Sequence, residues 1–310
     1  MISKVALNPA NFRRKLVMCN RARDGFSAYL KAVEIADDEC VLLPAYIGWS
    51  AREGSGVFDP VAELRVKHSF YAMDEFLNID LASLKRSFQQ NKVKLFVIIH
   101  YFGFVDPHYE EAIAVARDFG VKVLEDEAHS FYTNFVGGVT GIRGDASIFS
   151  LHKMFPMKGG GILSITDSEQ KIVSKKVDVE FPAVYDFAKI AKKRVENTLL
   201  IAKLLEGHSD KVTIMRPYLN QGEVPQTYPI LIKTVSRDKL YAKMNEVGFG
   251  VVSLYHTMID LIVESEYPKS HFVAKRILNL PVHQDVDSIQ IKAMVKMLLE
   301  QINSLELELE

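Results

Sequence analysis

Four stretches of this 310-residue chain carry the groups that could do chemistry, and each follows an apolar run. Glu125, Asp126, Glu127, Ala128 and His129 follow Val121–Leu124. Ser150, Leu151, His152 and Lys153 follow Ile148–Phe149, with Gly159, Gly160 and Gly161 soon after. Pro44, Ala45, Tyr46, Ile47, Gly48 and Trp49 follow Cys40–Leu43, and His100, Tyr101, Phe102 and Gly103 follow Leu95–Ile99. A carboxylate, an imidazole, a hydroxyl and an amine can together hold and move protons, and a lysine amine can attack a carbonyl. None of the four stretches is specific alone. Their order is.

The elements that must position these groups alternate in type. Asp24–Ile35, Asp80–Phe88 and Pro107–Phe119 read as helices, the last opened by proline and closed by Gly120. Glu39–Pro44, Leu64–Tyr71, Val93–His100, Val121–Glu125, Ala146–Ser150 and Gly160–Ile165 read as strands. The β-α alternation predicts a largely parallel sheet wrapped by helices, whose strand ends form the ligand site. A long helix over Asp186–Gly207 then leads to a different rhythm. Tyr228–Lys233, Gly250–His256 and Leu280–His283 read as strands, and Arg237–Val247, Ser270–Leu278 and Ser288–Ser304 as helices. That pattern predicts a small α+β module. The expected division is 1–185 for the large domain and 186–310 for the linking helix and small domain. Leu305–Glu310 is expected to fray.

Asp126 with His129 three positions later, Gly144–Asp145 opening a short strand, Phe149–Ser150, Lys153, and Gly160–Gly161 follow one another in a characteristic order. With Leu43-Pro44-Ala45-Tyr46, His100-Tyr101-Phe102-Gly103-Phe104 and Val136-Gly137-Gly138, the segment from Arg21 to Asp167 resembles the DegT/DnrJ/EryC1/StrS sugar aminotransferases. Those are fold type I enzymes dependent on pyridoxal 5′-phosphate (PLP). The second half resembles them only through Pro229-Ile230-Leu231 and Leu278–His283.

The resemblance assigns roles. Lys153, seven residues before the glycine pair, holds the cofactor aldehyde and moves the proton; Lys158 sits too close to the glycines. Asp126 keeps the pyridine nitrogen protonated so that the ring accepts electrons. Glu125 and Glu127 are expected to point to the opposite side, because strand side chains alternate. His129 contacts the ring oxygen or packs on the ring. Ser150 and the backbone at Ala22 and Arg23, ahead of a helix, hold the phosphate; the Arg23 guanidinium stands where the family has a hydroxyl. An aromatic, Tyr46 or Trp49, stacks on the ring. Tyr255 and His256 read as a packed pair on a strand, with a substrate-facing role as the other reading.

Three departures accompany the match. The Phe149–Ser150 pair stands two residues closer to the lysine than in typical members. The family's Gly-x-Asn-x-Arg segment is absent, with Val177–Phe187 in its place, and the N-terminal arm is nearly missing. The resemblance implies a homodimer that aminates a keto-sugar, nucleotide-linked, from glutamate or glutamine, in surface-polysaccharide or secondary-metabolite sugar synthesis. A non-catalytic binding or assembly module and a PLP-dependent sugar dehydratase are the other readings; His152 beside Lys153 belongs to the latter, a branch that carries histidine in place of the lysine.

Composition narrows the field. Lys+Arg 38 against Asp+Glu 39 gives a net charge of −1, which offers no electrostatic case for nucleic acid or an anionic membrane. The apolar runs are too short to span a bilayer, and Met1–Leu16 lacks a signal-peptide core. Two cysteines, Cys19 and Cys40, make neither a disulfide framework nor a zinc site, so a reducing cytoplasm is expected.

Overall fold

Strands that are apolar on both faces must lie between two covering layers. Here Cys-Val-Leu-Leu-Pro at 40–44 and Ala-Ser-Ile-Phe-Ser at 146–150 are buried at every position. The computed structural model describes residues 14–166, 172 and 177–308. The stretch through Arg13 and the last two residues of the tail lie outside them.

The described chain begins with β1 (Lys15–Cys19) and α1 (Ala22–Val33), then β2 (Cys40–Pro44), α2 (Phe58–Glu63), β3 (His68–Tyr71) and α3 (Leu81–Gln90). It continues through β4 (Val93–Ile99), α4 (Tyr109–Asp118), β5 (Lys122–Asp126), β6 (Ala146–Ser150) and β7 (Gly161–Ile165). These strands make one seven-stranded sheet in the order β1-β7-β6-β5-β4-β2-β3. β2 to β6 are parallel, and β7 runs antiparallel to both β6 and β1. Ser150 and Cys19 both pair with Gly161, so β6 and β1 end at the same edge. α5 (Phe187–Leu205) then leads to β8 (Val212–Ile214), β9 (Thr227–Ile232), α6 (Arg237–Glu246), α7 (Pro268–Ala274), β10 (Ile277–Pro281) and α8 (Ser288–Leu307). The three strands form an antiparallel sheet in the order β10-β9-β8. The architecture is the α/β one expected, with a large mostly parallel sheet flanked by helices. Among the described residues no helix is long and apolar enough to cross a membrane.

Helix limits follow local chemistry. Asp80 caps α3 by accepting from Ser83 N at 2.9 Å, and Asp186 caps α5 by accepting from Lys189 N at 2.9 Å. Asp287 and Gln290 form a reciprocal capping box at the start of α8. Several expectations need correction. The strand expected over Leu64–Tyr71 shrinks to β3, because Leu64 caps α2 and Val66 N still bonds Val61 O. Gly250–His256 is not a strand: Val252 alone bridges to Asn279, and Tyr255 takes φ 62°, which breaks an extended run. The helix expected to reach Leu278 ends at Ala274, since Ile277 and Leu278 pair with Leu231 and Ile230 in β10. The tail is helical through Leu307, with Leu305 buried. β1, α2 and β8, which the sequence reading missed, are short elements of five, six and three residues.

One close approach fixes the sheet's active edge. A Cβ on Gly161 would overlap the backbone of Arg21 and Ala22. The lack of a side chain there lets the start of α1 lie directly on β7. Gly161→Ala is expected to cost about 1–3 kcal/mol, read as a lower melting temperature; an unchanged melt would contradict the close-packed junction.

Candidate active site

Asp126 is the last residue of β5 and is buried. Its Oδ1 accepts from Ala128 N at 2.8 Å. Burial raises its pKa, while Lys153, the Ala128 N–H and His100 oppose the rise. Glu125 and Glu127 serve a separate cluster. Glu125 accepts from Tyr109 Oη at 2.7 Å, His100 Nε2 at 3.0 Å and the N–H groups of Gly141, Arg143 and Gly144 at 2.6, 3.0 and 2.6 Å. Glu127 accepts from Ser130 Oγ at 2.5 Å and Thr140 Oγ1 at 2.8 Å. These contacts pin the 139–144 loop and α4 to the end of β5.

Lys153 ends a short 3-10 turn, Leu151–Lys153, directly after β6. Leu151 and Phe155 on either side of it are buried, 0% and 4% exposed. Phe155 meets Phe131 at 5.0 Å and Phe187 at 5.8 Å between ring centroids. Leu151 N bonds Gly160 O at 3.0 Å, which closes the loop. Lys153 is therefore a side chain fixed at its root, with its amine open to a cleft whose walls surround it. Those walls lower its pKa by desolvation; Asp126 and Glu53 pull it back up, and the Arg23 charge pushes it down.

His129 is buried and held on three sides. Phe102 N–H donates to its Nδ1 at 3.3 Å. Phe102 and Tyr255 stack against the imidazole with interplanar angles of 14° and 22°. The Nε2 edge is left to face Lys153 Nζ at 3.2 Å and Tyr255 Oη at 3.3 Å. Burial, with help from Lys153, depresses its pKa well below the usual imidazole value, so the ring is neutral. With both faces stacked on protein rings, the edge of His129 is what remains for polar contact.

A cavity of about 350 Å³ lies at these strand ends, and His129 is not among the residues that line it. Asp126, Ser150, Lys153 and the Arg21–Arg23 start of α1 line it, as do Trp49, His152 and Tyr255. The first turn of α1 leaves backbone N–H groups without helical partners at the cavity wall, where an anion is favoured. The Arg23 guanidinium, expected to substitute by charge for a hydroxyl, is otherwise engaged: it bonds Asp59 Oδ2 at 3.0 Å and Glu53 O at 2.7 Å. Ser150 Oγ lies 3.2 Å from His152 Nδ1. Trp49, 46% exposed, stands at the cavity, whereas Tyr46 is buried behind it, donating to Leu254 O at 3.1 Å. Tyr255 enters the cavity from the second half of the chain on a turn rather than on a packed strand. The His100–Glu125–Glu127 cluster was legible in the amino-acid order only as charge at the ends of strands buried on both sides.

The pattern of the DegT/DnrJ/EryC1/StrS aminotransferase family matches residues 13–177, more than half of the chain. The chain belongs to that family. It is 36% identical over 95 residues to the spore coat polysaccharide biosynthesis protein SpsC of Bacillus subtilis, a match covering 30% of this chain and 24% of SpsC. It is 25% identical over 239 residues to the dTDP-4-amino-4,6-dideoxy-D-glucose transaminase of Escherichia coli, covering 61% of this chain and 62% of the transaminase. These matches thus span less than two thirds of either relative. In three dimensions it resembles a Streptococcus pneumoniae protein assigned as a sugar aminotransferase and solved in its PLP form, with a TM-score of 0.76 and 14% identity over 94% of this chain and 88% of the other. At that identity the likeness establishes the fold.

Glu127 makes the buried cluster sensitive to pH. Burial pushes its carboxyl from 4.5 up to about 7, against the pull of His100. Between those values the folded chain keeps a proton that the unfolded chain releases, so stability falls as pH rises through that window. Chemical denaturation at pH 5 and pH 8 is expected to show Glu127→Gln losing less stability than the wild type, by an amount on the order of a few kcal/mol. Equal losses would show that Glu127 is ionised throughout.

Proposed function

We propose that the chain is a PLP-dependent aminotransferase that moves an amino group from glutamate or glutamine onto a nucleotide-linked keto-sugar. The observation that carries this reading is the convergence of Asp126, Lys153, Ser150 and the start of α1 on one cavity. That donor set fits the cofactor: a carboxylate at one wall, an amine at another, and an N–H cradle that the absent Gly161 side chain leaves open. PLP, when bound, supplies the electron sink for the carbanion of an amino donor.

The roles of the chain's own groups follow from their placement. Asp126 would hold the proton on the pyridine nitrogen, whose positive charge would offset the burial that raises the Asp126 pKa. Lys153 would hold the aldehyde covalently and would accept and return the proton at Nζ. Its depressed pKa keeps more of it in the neutral form that both steps need. His129 orients Lys153 through its Nε2 edge. The N–H groups of Ala22 and Arg23, with the Ser150 hydroxyl, hold the phosphate. Trp49 flanks the ring, and its large exposed fraction suits a place under a second subunit in the homodimer that the family resemblance implies. The names of the two relatives, one a sugar-nucleotide transaminase and one a polysaccharide biosynthesis protein, support the substrate class. We place the cofactor in residues 1–185 and the protein in the cytoplasm.

The following measurements test the reading. Adding PLP to the purified protein is expected to give an absorbance band at the visible edge, and borohydride is expected to fix the cofactor to the peptide carrying Lys153. Lys153→Ala should lose both and lower amino transfer by at least about 10²-fold. Retention of the band and the adduct in that variant would show that another lysine is used. Glutamate should then bleach the visible-edge band with release of 2-oxoglutarate, a step that the dehydratase reading shares; release of the keto acid with no amino group appearing on the sugar would point to that reading, and no PLP binding to the assembly-module reading.

A further inference from the structure

Tyr255, from beyond residue 250, meets His129 and lines the cavity that Lys153 lines, and its geometry is unusual. A bulky residue rarely adopts positive φ, yet Tyr255 stands at φ 62°. The turn that carries it is tied down: Trp49 N bonds Thr257 O at 2.9 Å and Ile259 N bonds Ile47 O at 3.1 Å. Gly48, bridged to Met258, leaves no room for a Cβ, because the Tyr255 ring fills that space. Edge contacts with Tyr46 at 5.8 Å and Tyr101 at 6.1 Å complete the seat. Strained backbone that the surroundings hold in place points to a role for the side chain.

The hydrogen-bond arithmetic at His129 supplies that role. The Phe102 N–H can only donate, so Nδ1 carries the lone pair and the neutral ring keeps its proton on Nε2. Nε2–H has two groups within reach, Lys153 Nζ at 3.2 Å and Tyr255 Oη at 3.3 Å. A neutral amine accepts this bond through its lone pair; an ammonium group has no lone pair and cannot. We propose that Tyr255 is a positioning residue whose hydroxyl oxygen is the alternative acceptor for His129 Nε2–H, taking that bond whenever Lys153 carries a proton. The inference rests on Lys153 being the amine that gains and loses protons during turnover. It adds that the second half of the chain sets how readily Lys153 does so.

The groups facing Lys153 are Asp126 on β5, Glu53 ahead of α2, Arg23 on α1, His152 on its own turn, and His129 and Tyr255. Tyr255 in turn faces Asp126 and Tyr46, and burial keeps its phenol protonated. Tyr255→Phe keeps the ring and removes only the acceptor. With no alternative acceptor, the protonated state of Lys153 leaves Nε2–H unpaired, so the neutral amine is favoured and the lysine pKa falls.

The test uses the full chain freed of bound aldehyde by hydroxylamine. Acetic anhydride labelling of Lys153 is followed against pH by peptide mass mapping, in the wild type and Tyr255→Phe. The midpoint is expected to drop by at least about half a pH unit, a roughly threefold change in the labelled fraction below the midpoint. An unchanged or raised midpoint in a variant with wild-type melting would overturn the proposal. Nitrogen-15 spectra of His129 in the wild type give a second check that needs no variant. The Nε2–H tautomer is expected, and a proton on Nδ1 would overturn the assignment. Neither readout uses PLP, so failure to bind the cofactor or to transfer amino groups leaves this result separately legible.

Discussion

Three carboxylates in succession at the buried end of a central strand are the constraint around which this site is built. An ionised side chain without water must be paired or hydrogen-bonded, at a cost of several kcal/mol otherwise. Glu125, Asp126 and Glu127 meet that demand in different ways. Glu125 collects five donors, three of them backbone N–H groups of the 141–144 loop. Glu127 takes two hydroxyls and leaves Oε1 without a hydrogen-bond partner, 3.5 Å from His100 Nε2. Asp126 takes one backbone N–H and looks into the cavity toward the charge of Lys153. The two glutamates thereby rigidify the strand end from one side while the aspartate is left open to a ligand on the other. That division is what strand alternation can provide and a loop could not.

The lysine is placed by packing rather than by polar contacts. Leu151, Met154 and Phe155 sink into a cluster of aromatic rings that includes Phe131, Phe149 and Phe187. With its root held there, the Lys153 chain extends along the cavity wall. Its nearest polar partner, His129, is itself fixed by a backbone N–H and two stacked rings. A chain of constraints thus runs from the apolar core to a single nitrogen. Such preorganisation lowers the reorganisation needed when a reaction begins.

The cavity is also composite. The N-terminus of α1 reaches it because Gly161 permits direct contact with β7, and Tyr255 reaches it because Gly48 leaves space for a ring. Both depend on a missing side chain at a place where two distant segments cross. Arg23 shows the opposite case: its charge is turned to Asp59, so the anion site proposed at this wall rests on backbone N–H groups and Ser150 rather than on this guanidinium.

Much of this was legible in the amino-acid order alone. Apolar runs ending in polar groups located the strands and their carboxyl ends, because burial on two faces leaves a continuous pattern; the family resemblance singled out Asp126, Ser150 and Lys153 among the groups found there. The same reasoning placed Glu125 and Glu127 away from Asp126. The pattern was silent where a property depends on contact between remote segments. Tyr255 read as one of a strand pair because β-rich residues surround it; the turn that aims it at His129 comes from Gly48 and the backbone bonds to 47–49. Tyr46 and Trp49 could not be separated by spacing, since both follow the same strand. Which one borders the cavity depends on how Tyr101 and Leu254 hold Tyr46 inside. Local sequence therefore determined which groups stand at the strand ends. Tertiary structure decided which of them meet and which tautomer His129 keeps, because hydrogen bonds and excluded volume across more than a hundred residues leave no trace in local periodicity.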